Sequence, residues 1–244
     1  RSERARCEQV ARWESLEYGV AHWSPAFPDL PAANQLQDVW LADLDPEAVY
    51  ERAECFYRDR NACCHTWMIA ATQDIAPIEE LLDGKGWIRR DLLAMGLSHW
   101  DSLREAVDES IRILPARAMP KAYRAALADD GKRDASFVKA GIERLNDAQV
   151  DAFVAMVDGK PAGRIGYLEV GDIARLAEYH VPPHERRRDI SNALLRHFLE
   201  MARRLMPRII VAGISADDNP HQSSLEHVGF SVAGGLAQFH RPPR

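Results

Sequence analysis

Chemistry-bearing side chains crowd the run Glu178–Arg204, EYHVPPHERRRDISNALLRHFLEMARR, where a carboxylate, a phenol and an imidazole precede two prolines and three arginines. The residues up to Val181 read as the end of a strand, and Pro182 and Pro183 forbid its simple continuation. Ile190, Leu194, Phe198, Met201 and Leu205 then recur at helical spacing, which predicts a helix starting near Asp189. Amides in the first turn of a buried helix have no intrahelical partner, and the helix dipole adds positive charge to them. Such a loop is an anion site, and Arg186, Arg187 and Arg188 stand at its mouth. The simplest ligand is a phosphate or pyrophosphate.

The elements around this loop carry a more specific pattern. Val181, Pro183, Arg186 and Leu194 fit V-x-P-x-x-[RQ]-x-x-G-x-[GA]-x-x-L, and Arg208–Phe230, RIIVAGISADDNPHQSSLEHVGF, follows as strand, helix and "GF" corner. In these two stretches the chain resembles the GNAT superfamily of CoA-dependent acyltransferases, over residues 101–244. The pyrophosphate loop is a degenerate version: Asp189 and Ser191 stand at its two small positions, the helix after Asn219 is one residue short, and Leu225 replaces a tyrosine many relatives carry.

The resemblance implies a fold, a donor and a set of roles. The fold is α/β, a mixed and mostly antiparallel sheet flanked by helices. The co-substrate is acetyl-CoA or another acyl-CoA, with no metal. The main chain of Tyr179, His180 and Val181 pairs with the pantetheine arm. Arg186, Arg187, Arg188, Asp189, Ile190, Ser191 and Asn192 hold the pyrophosphate, and Asn219 approaches the arm. Asp189 brings a charge of the ligand's own sign, or else serves as the helix N-cap.

Direct transfer to an amine needs a base near the thioester. Glu178 is the first candidate and His180 the second, because period-2 alternation puts them on one face and Tyr179 on the other. The structural alternative for Glu178 is an ion pair with Arg175 or Arg164. Leu225 cannot donate a proton, which leaves Ser223, Ser224 or His227 for the leaving thiolate. The expected activity is acyl transfer to an amine of a small molecule or protein. The alternatives are an S-acyltransferase or decarboxylating loading domain acting with an acyl carrier protein, and a non-catalytic GNAT-like binding protein. A triad of His221, Ser223 and Asp217 is rejected, since nothing resembles a nucleophile elbow.

The rest of the chain must carry these residues. Its 244 residues, 46% hydrophobic, bury a substantial core, and the net charge of −6 excludes a nucleic-acid partner. No apolar run is long enough to span a bilayer and none marks a secretion signal, so the expected location is cytoplasmic, away from membranes. Cys7, Cys55, Cys63 and Cys64 read as reduced thiols, and adjacent side chains in Cys63-Cys64-His65 cannot readily converge on one metal.

Residues 1–21 are helix-permissive, and the prolines from Ser24 to Pro31 break any regular element. Asp45-Pro46 starts an amphipathic helix, and TWMIAA from Thr66 reads as a buried strand. A short helix, a stop at Gly84-Lys85-Gly86 and a second strand through Leu97 follow. Residues 34–98 echo the later order, so the N-terminal α/β extension, residues 1–100, reads either as a partial GNAT-like repeat or as a family-specific addition. In residues 101–244 the expectation is a strand over Glu109–Leu114, two helices, and a hairpin turning at Asp158-Gly159-Lys160. Strands from Ile173 and Arg208 flank the long helix, a short helix follows Asn219, and the last strand runs from Gly235 to Arg241. The strands ending at Val181 and starting at Arg208 must part to admit the cofactor arm.

Overall fold

Asp45 accepts the Ala48 amide at 3.0 Å and Pro46 occupies the first helical position, so a helix begins there and buries the stripe Val49, Ala53, Phe56. Similar local rules set most elements of the computed structural model, which describes residues 2–41, 44–70, 75–99, 108–129, 135–185 and 188–242. In chain order they are α1 (Ser2–Glu8), β1 (Arg12–Leu16), β2 (Gly19–Trp23), β3 (Gln35–Gln37), α2 (Pro46–Asp59), β4 (Thr66–Ala70), α3 (Ala76–Gly84) and β5 (Ile88–Leu97). The second half adds β6 (Arg112–Pro115), α4 (Pro120–Ala128), α5 (Ala135–Glu143), β7 (Val150–Val157), β8 (Lys160–Val170) and β9 (Ile173–His180). It closes with α6 (Arg188–Leu205), β10 (Ile209–Ser215), α7 (Asn219–His227) and β11 (Phe230–His240).

These strands form one eleven-stranded sheet in the order β1-β2-β3-β4-β11-β5-β10-β9-β8-β7-β6. The fold is the mixed, mostly antiparallel α/β arrangement expected. Several details differ. Residues 12–21, read as helix-permissive, fall in the β1–β2 hairpin instead, where the chain turns between Leu16 and Gly19 and Tyr18 and Ala21 enter the core. The last strand starts five residues earlier than expected and carries a bulge between Val232 and Gly234. The Asp158-Gly159 turn has φ 52° and 76°, both left-handed, as a two-residue hairpin requires.

The order strand, helix, parallel strand, helix, closing strand occurs twice, as β3-α2-β4-α3-β5 and as β9-α6-β10-α7-β11. The parallel pair of the first set ends at Leu36↔Trp67 and that of the second at Leu176↔Ala212. Two residues further on, each chain enters the left-handed region, at Asp38 (φ 52°) and Glu178 (φ 53°). A glycine on the neighbouring strand presses on each kink: a Cβ on Gly19 would meet the Gln37 carbonyl at 2.8 Å, and one on Gly166 the Ala177 carbonyl at 3.0 Å. The two closing strands β5 and β11 pair with each other from Phe230↔Leu97 to His240↔Ile88. Each also pairs with the parallel pair of the other set, β5 with β10 and β11 with β4. The strands of the two halves are thus interleaved.

The two largest apolar clusters among the described residues pack on this sheet. Tyr57, Trp67, Leu82 and Phe239 anchor one, and Ile190, Leu194, Phe198, Leu225 and Phe230 the other. Leu225, where a tyrosine was looked for, is fully buried in the latter.

Candidate active site

Strands β9 and β10 pair in parallel only from Ile173↔Ile209 to Leu176↔Ala212, after which each runs on without the other. The gap opens into a cavity of about 510 Å³, lined by Ala177–His180 on one side and Gly213–Ser215 on the other. The splay expected between these strands is present.

The left-handed Glu178 sits in a β-bulge, where the one residue of β8 between Arg164 and Gly166 faces the two of β9 between Ala177 and His180. One extra residue cancels the alternation. Glu178, Tyr179 and His180 therefore all line the cavity, and the expectation that Tyr179 faces away is corrected. Gly163 lets the long helix settle beside this bulge, since a Cβ there would meet Leu194 at 3.0 Å, the His180 carbonyl at 3.1 Å and Ile190 at 3.3 Å.

Glu178 lies between two guanidinium groups. Arg144 Nη1 donates to its Oε1 at 2.5 Å, and Arg164 Nε stands 3.8 Å from Oε2. Arg144 occupies a short 3-10 turn after α5, and Arg164 is pinned by donating to the Ala126 carbonyl at 2.5 Å. Of the two partners proposed for Glu178 on sequence, Arg164 is one. Arg175 is not: it pairs with Glu3 of α1, which also takes Arg6 at 2.7 Å. Burial alone would raise the Glu3 carboxyl, but Arg6 and Arg175 pull it down to about 2. Burial, together with the Arg6 charge, lowers Arg175. Tyr123 is raised by burial and then by the Glu178 charge.

At the other wall, His221 Nδ1 lies 2.5 Å from Asp218 Oδ2 and its ring meets Tyr179 edge to face, 4.9 Å between centroids. Burial raises the Tyr179 hydroxyl, and the hydroxyls of Ser191 and Ser224 act against that shift. Asp218 also caps α7 by accepting the His221 amide at 3.4 Å, so the cap is Asp218 and not Asn219, which is exposed in the first turn.

The remaining sequence candidates fall around the phosphate mouth. Val181 and Ile190 send their side chains into the core, leaving only main chain for a ligand. Asp189 is exposed within the first turn of α6, one residue past its start, so it is not the N-cap. Ser191 and Asn192 are half-buried on the next positions. Arg186 and Arg187 lie outside the described residues; α6 begins at Arg188.

Sequence reasoning missed Arg144, Glu3 and Arg6 as site residues, because buried arginines from distant segments read as surface charge. Asp218 and His221 carry a signal, an acid and an imidazole three apart at a helix start, whereas the rejected triad joins His221 to the neighbouring Asp217. Among the described residues no group of three or more His, Cys, Asp or Glu side chains could hold a metal, and no helix is long and apolar enough to cross a membrane.

The profile of the acetyltransferase (GNAT) family matches residues 109–230, half of the chain. The chain belongs to the GNAT acetyltransferase family. It is a GNAT-type acyltransferase, and GNAT proteins use acyl-CoA as co-substrate. None of the curated proteins matches it in sequence. Solved structures share its fold well beyond the matched half. A functionally unknown conserved protein from Staphylococcus epidermidis is 12% identical with a TM-score of 0.71, over 93% of this chain and 91% of that one. A GCN5-related N-acetyltransferase from Kribbella flavida is 14% identical with a TM-score of 0.62, over 99% and 93%. A tandem GNAT protein from the clavulanic acid biosynthesis pathway is 16% identical with a TM-score of 0.61, over 93% and 80%. At these identities the likeness is one of fold, and it covers most of residues 1–100 as well.

Proposed function

We propose that this GNAT protein transfers an acetyl or other acyl group from a CoA thioester directly to an amine of a small molecule or protein. The observation that carries the reading is the parting of β9 from β10 beyond Leu176 and Ala212, where an extended pantetheine arm fits as an added strand against Tyr179, His180 and Val181. The pyrophosphate then meets the start of α6, with Arg186, Arg187, Arg188, Asp189, Ile190, Ser191 and Asn192 around it. Asn219 borders the arm from α7. Residues 1–100 are, in this reading, a second copy of the GNAT arrangement that supplies a wall of the site and no donor site of its own: beyond β3, Val39 still donates to the Met68 carbonyl at 3.5 Å, across the place where the other pair parts.

For the proton, the geometry favours His221 over Glu178 and His180. Glu178 is already engaged in ion pairs with Arg144 and Arg164. His221 is oriented by Asp218 and lines the cavity. The amine nitrogen attacks the thioester carbonyl, its proton passes to the imidazole, and the same imidazole returns it to the sulfur as the C–S bond breaks.

Release of CoA thiol from acetyl-CoA in the presence of a panel of amines tests the reading, with an acyl carrier protein thioester as the comparison donor. Calorimetry without detectable CoA binding, or binding without transfer to any acceptor, would sink it.

A further inference from the structure

The cavity holds two buried carboxylates, and each is clamped by two guanidinium groups. Glu178 lies between Arg144 and Arg164, and Glu3 between Arg6 and Arg175. Side-chain exposure is 6% for Arg144, 1% for Arg164 and 8% for Arg175, so solvent does little to screen them. Among the described residues the Arg6–Glu3–Arg175 triad keeps one positive charge in excess. Buried charge without a counter-charge is costly. Arg6 is close enough to Glu178 to feel its charge, which makes the two triads neighbours. Arg144 Nε and Arg175 Nε are, in addition, buried donors without an acceptor among the described residues. Leu30 and Phe137 form an apolar wall alongside.

Resting on the acyl-transfer reading, we infer that the acceptor is an amine carrying a carboxylate, an amino acid with an apolar side chain, whose carboxylate is received by the Arg6–Glu3–Arg175 triad. A carboxylate adds the negative charge that this triad lacks and accepts from planar guanidinium donors. Leu30 and Phe137 take the side chain. The amine is then left to face the gap between β9 and β10. Three of the four arginines and one of the glutamates come from elements other than the strand and helix of the phosphate mouth, so the acceptor end is built separately from the donor end.

The test is a direct binding titration, followed by ligand-observed NMR on the full chain, with matched pairs: L-phenylalanine against phenethylamine, and L-leucine against isoamylamine. The amino acids should bind about ten- to a hundred-fold more tightly than the amines that lack the carboxylate. Arg6→Gln, at a partly exposed position, should cut that preference about tenfold, while Arg175→Lys should keep part of it. Equal or tighter binding of the decarboxylated amines overturns the inference, as does binding of neither class. An intact preference in Arg6→Gln together with Arg175→Gln also overturns it. Binding is read without turnover, so a protein that prefers amino acids yet acylates none would refute acyl transfer and leave the carboxylate site standing.

Discussion

Asp38 and Glu178 hold the same place in two successive copies of one strand-helix-strand arrangement, each two residues beyond the last rung of a parallel pair and each with φ close to 52°. Aspartate tolerates the left-handed region because its short side chain bonds locally, whereas glutamate visits it far less readily. At 178 the strain is retained where Arg144 and Arg164 hold the carboxylate. Asp38→Gly should leave stability within about 0.5 kcal/mol or raise it, and Asp38→Val should lower it by about 1–2 kcal/mol. Urea unfolding of both variants measures this, and a harmless valine would mean that the kink at 38 is not enforced.

Glu178→Gln leaves two buried guanidinium groups without their anion and should cost on the order of 3–5 kcal/mol of stability. His221→Asn keeps the helix start and should reduce turnover by about 100-fold with little change in CoA affinity. The contrast is read from paired unfolding curves and initial rates. A stable, slow Glu178→Gln beside a fully active His221→Asn would return the proton transfer to Glu178.

At Gly163, Leu194 and Ile190 of α6 pack directly over the β8 backbone. Gly163→Val should lower stability by about 1–3 kcal/mol through overpacking against Leu194 and the His180 carbonyl. It should also weaken CoA binding, since α6 carries the phosphate mouth. Thermal unfolding with and without CoA follows both effects, and an unchanged CoA-induced shift in Tm would detach the helix position from binding.

Asp189→Gly removes a like charge from the phosphate mouth and should tighten CoA binding. Its cost is about 1 kcal/mol, from glycine in a helical turn and a lost acid at the positive end of the dipole. Calorimetry on both proteins decides the point. Weaker binding in the glycine variant would mean that the carboxylate helps to order the loop.

The Glu3 carboxyl, held at about 2 against an ordinary 4.5, contributes stability that is fully present above pH 4.5 and is lost as the pH falls towards 2. Burial holds His22 at about 4 against 6.5, so the folded state resists protonation and stability also falls between pH 6.5 and 4. Glu3→Gln should flatten the lower window alone, and His22→Leu the upper one alone. Unfolding free energies from pH 7 to 2.5 separate them, and a single shared transition unaffected by either substitution would contradict both assignments.

Much of this architecture is legible from local chemistry. Asp45-Pro46, Asp158-Gly159 and the spacing from Ile190 to Leu205 each announce an element through caps, turn conformations or periodicity. The bulge at Glu178 left no such mark, because its cause lies on β8, in Gly166, and in two arginines remote in sequence. Arg144 and Arg164 look like any surface cation until packing buries them. The hairpin at residues 12–23 was hidden by charged residues, which suit a helix as well as an exposed edge strand such as β1.

The interleaving of β5 with β10 and β11 fixes the order in which the chain can be completed. During synthesis β5 emerges more than a hundred residues before either of its partners, and both of its edges stay unsatisfied until the C-terminal strands arrive. Its pairings are therefore among the most non-local in the protein and belong to the slow part of folding. A nascent chain that stalls after Leu97 presents a ten-residue strand, IRRDLLAMGL, as an open template for another copy of itself. The arginines near its start, Arg89 and Arg90, are where repulsion between two such copies would act.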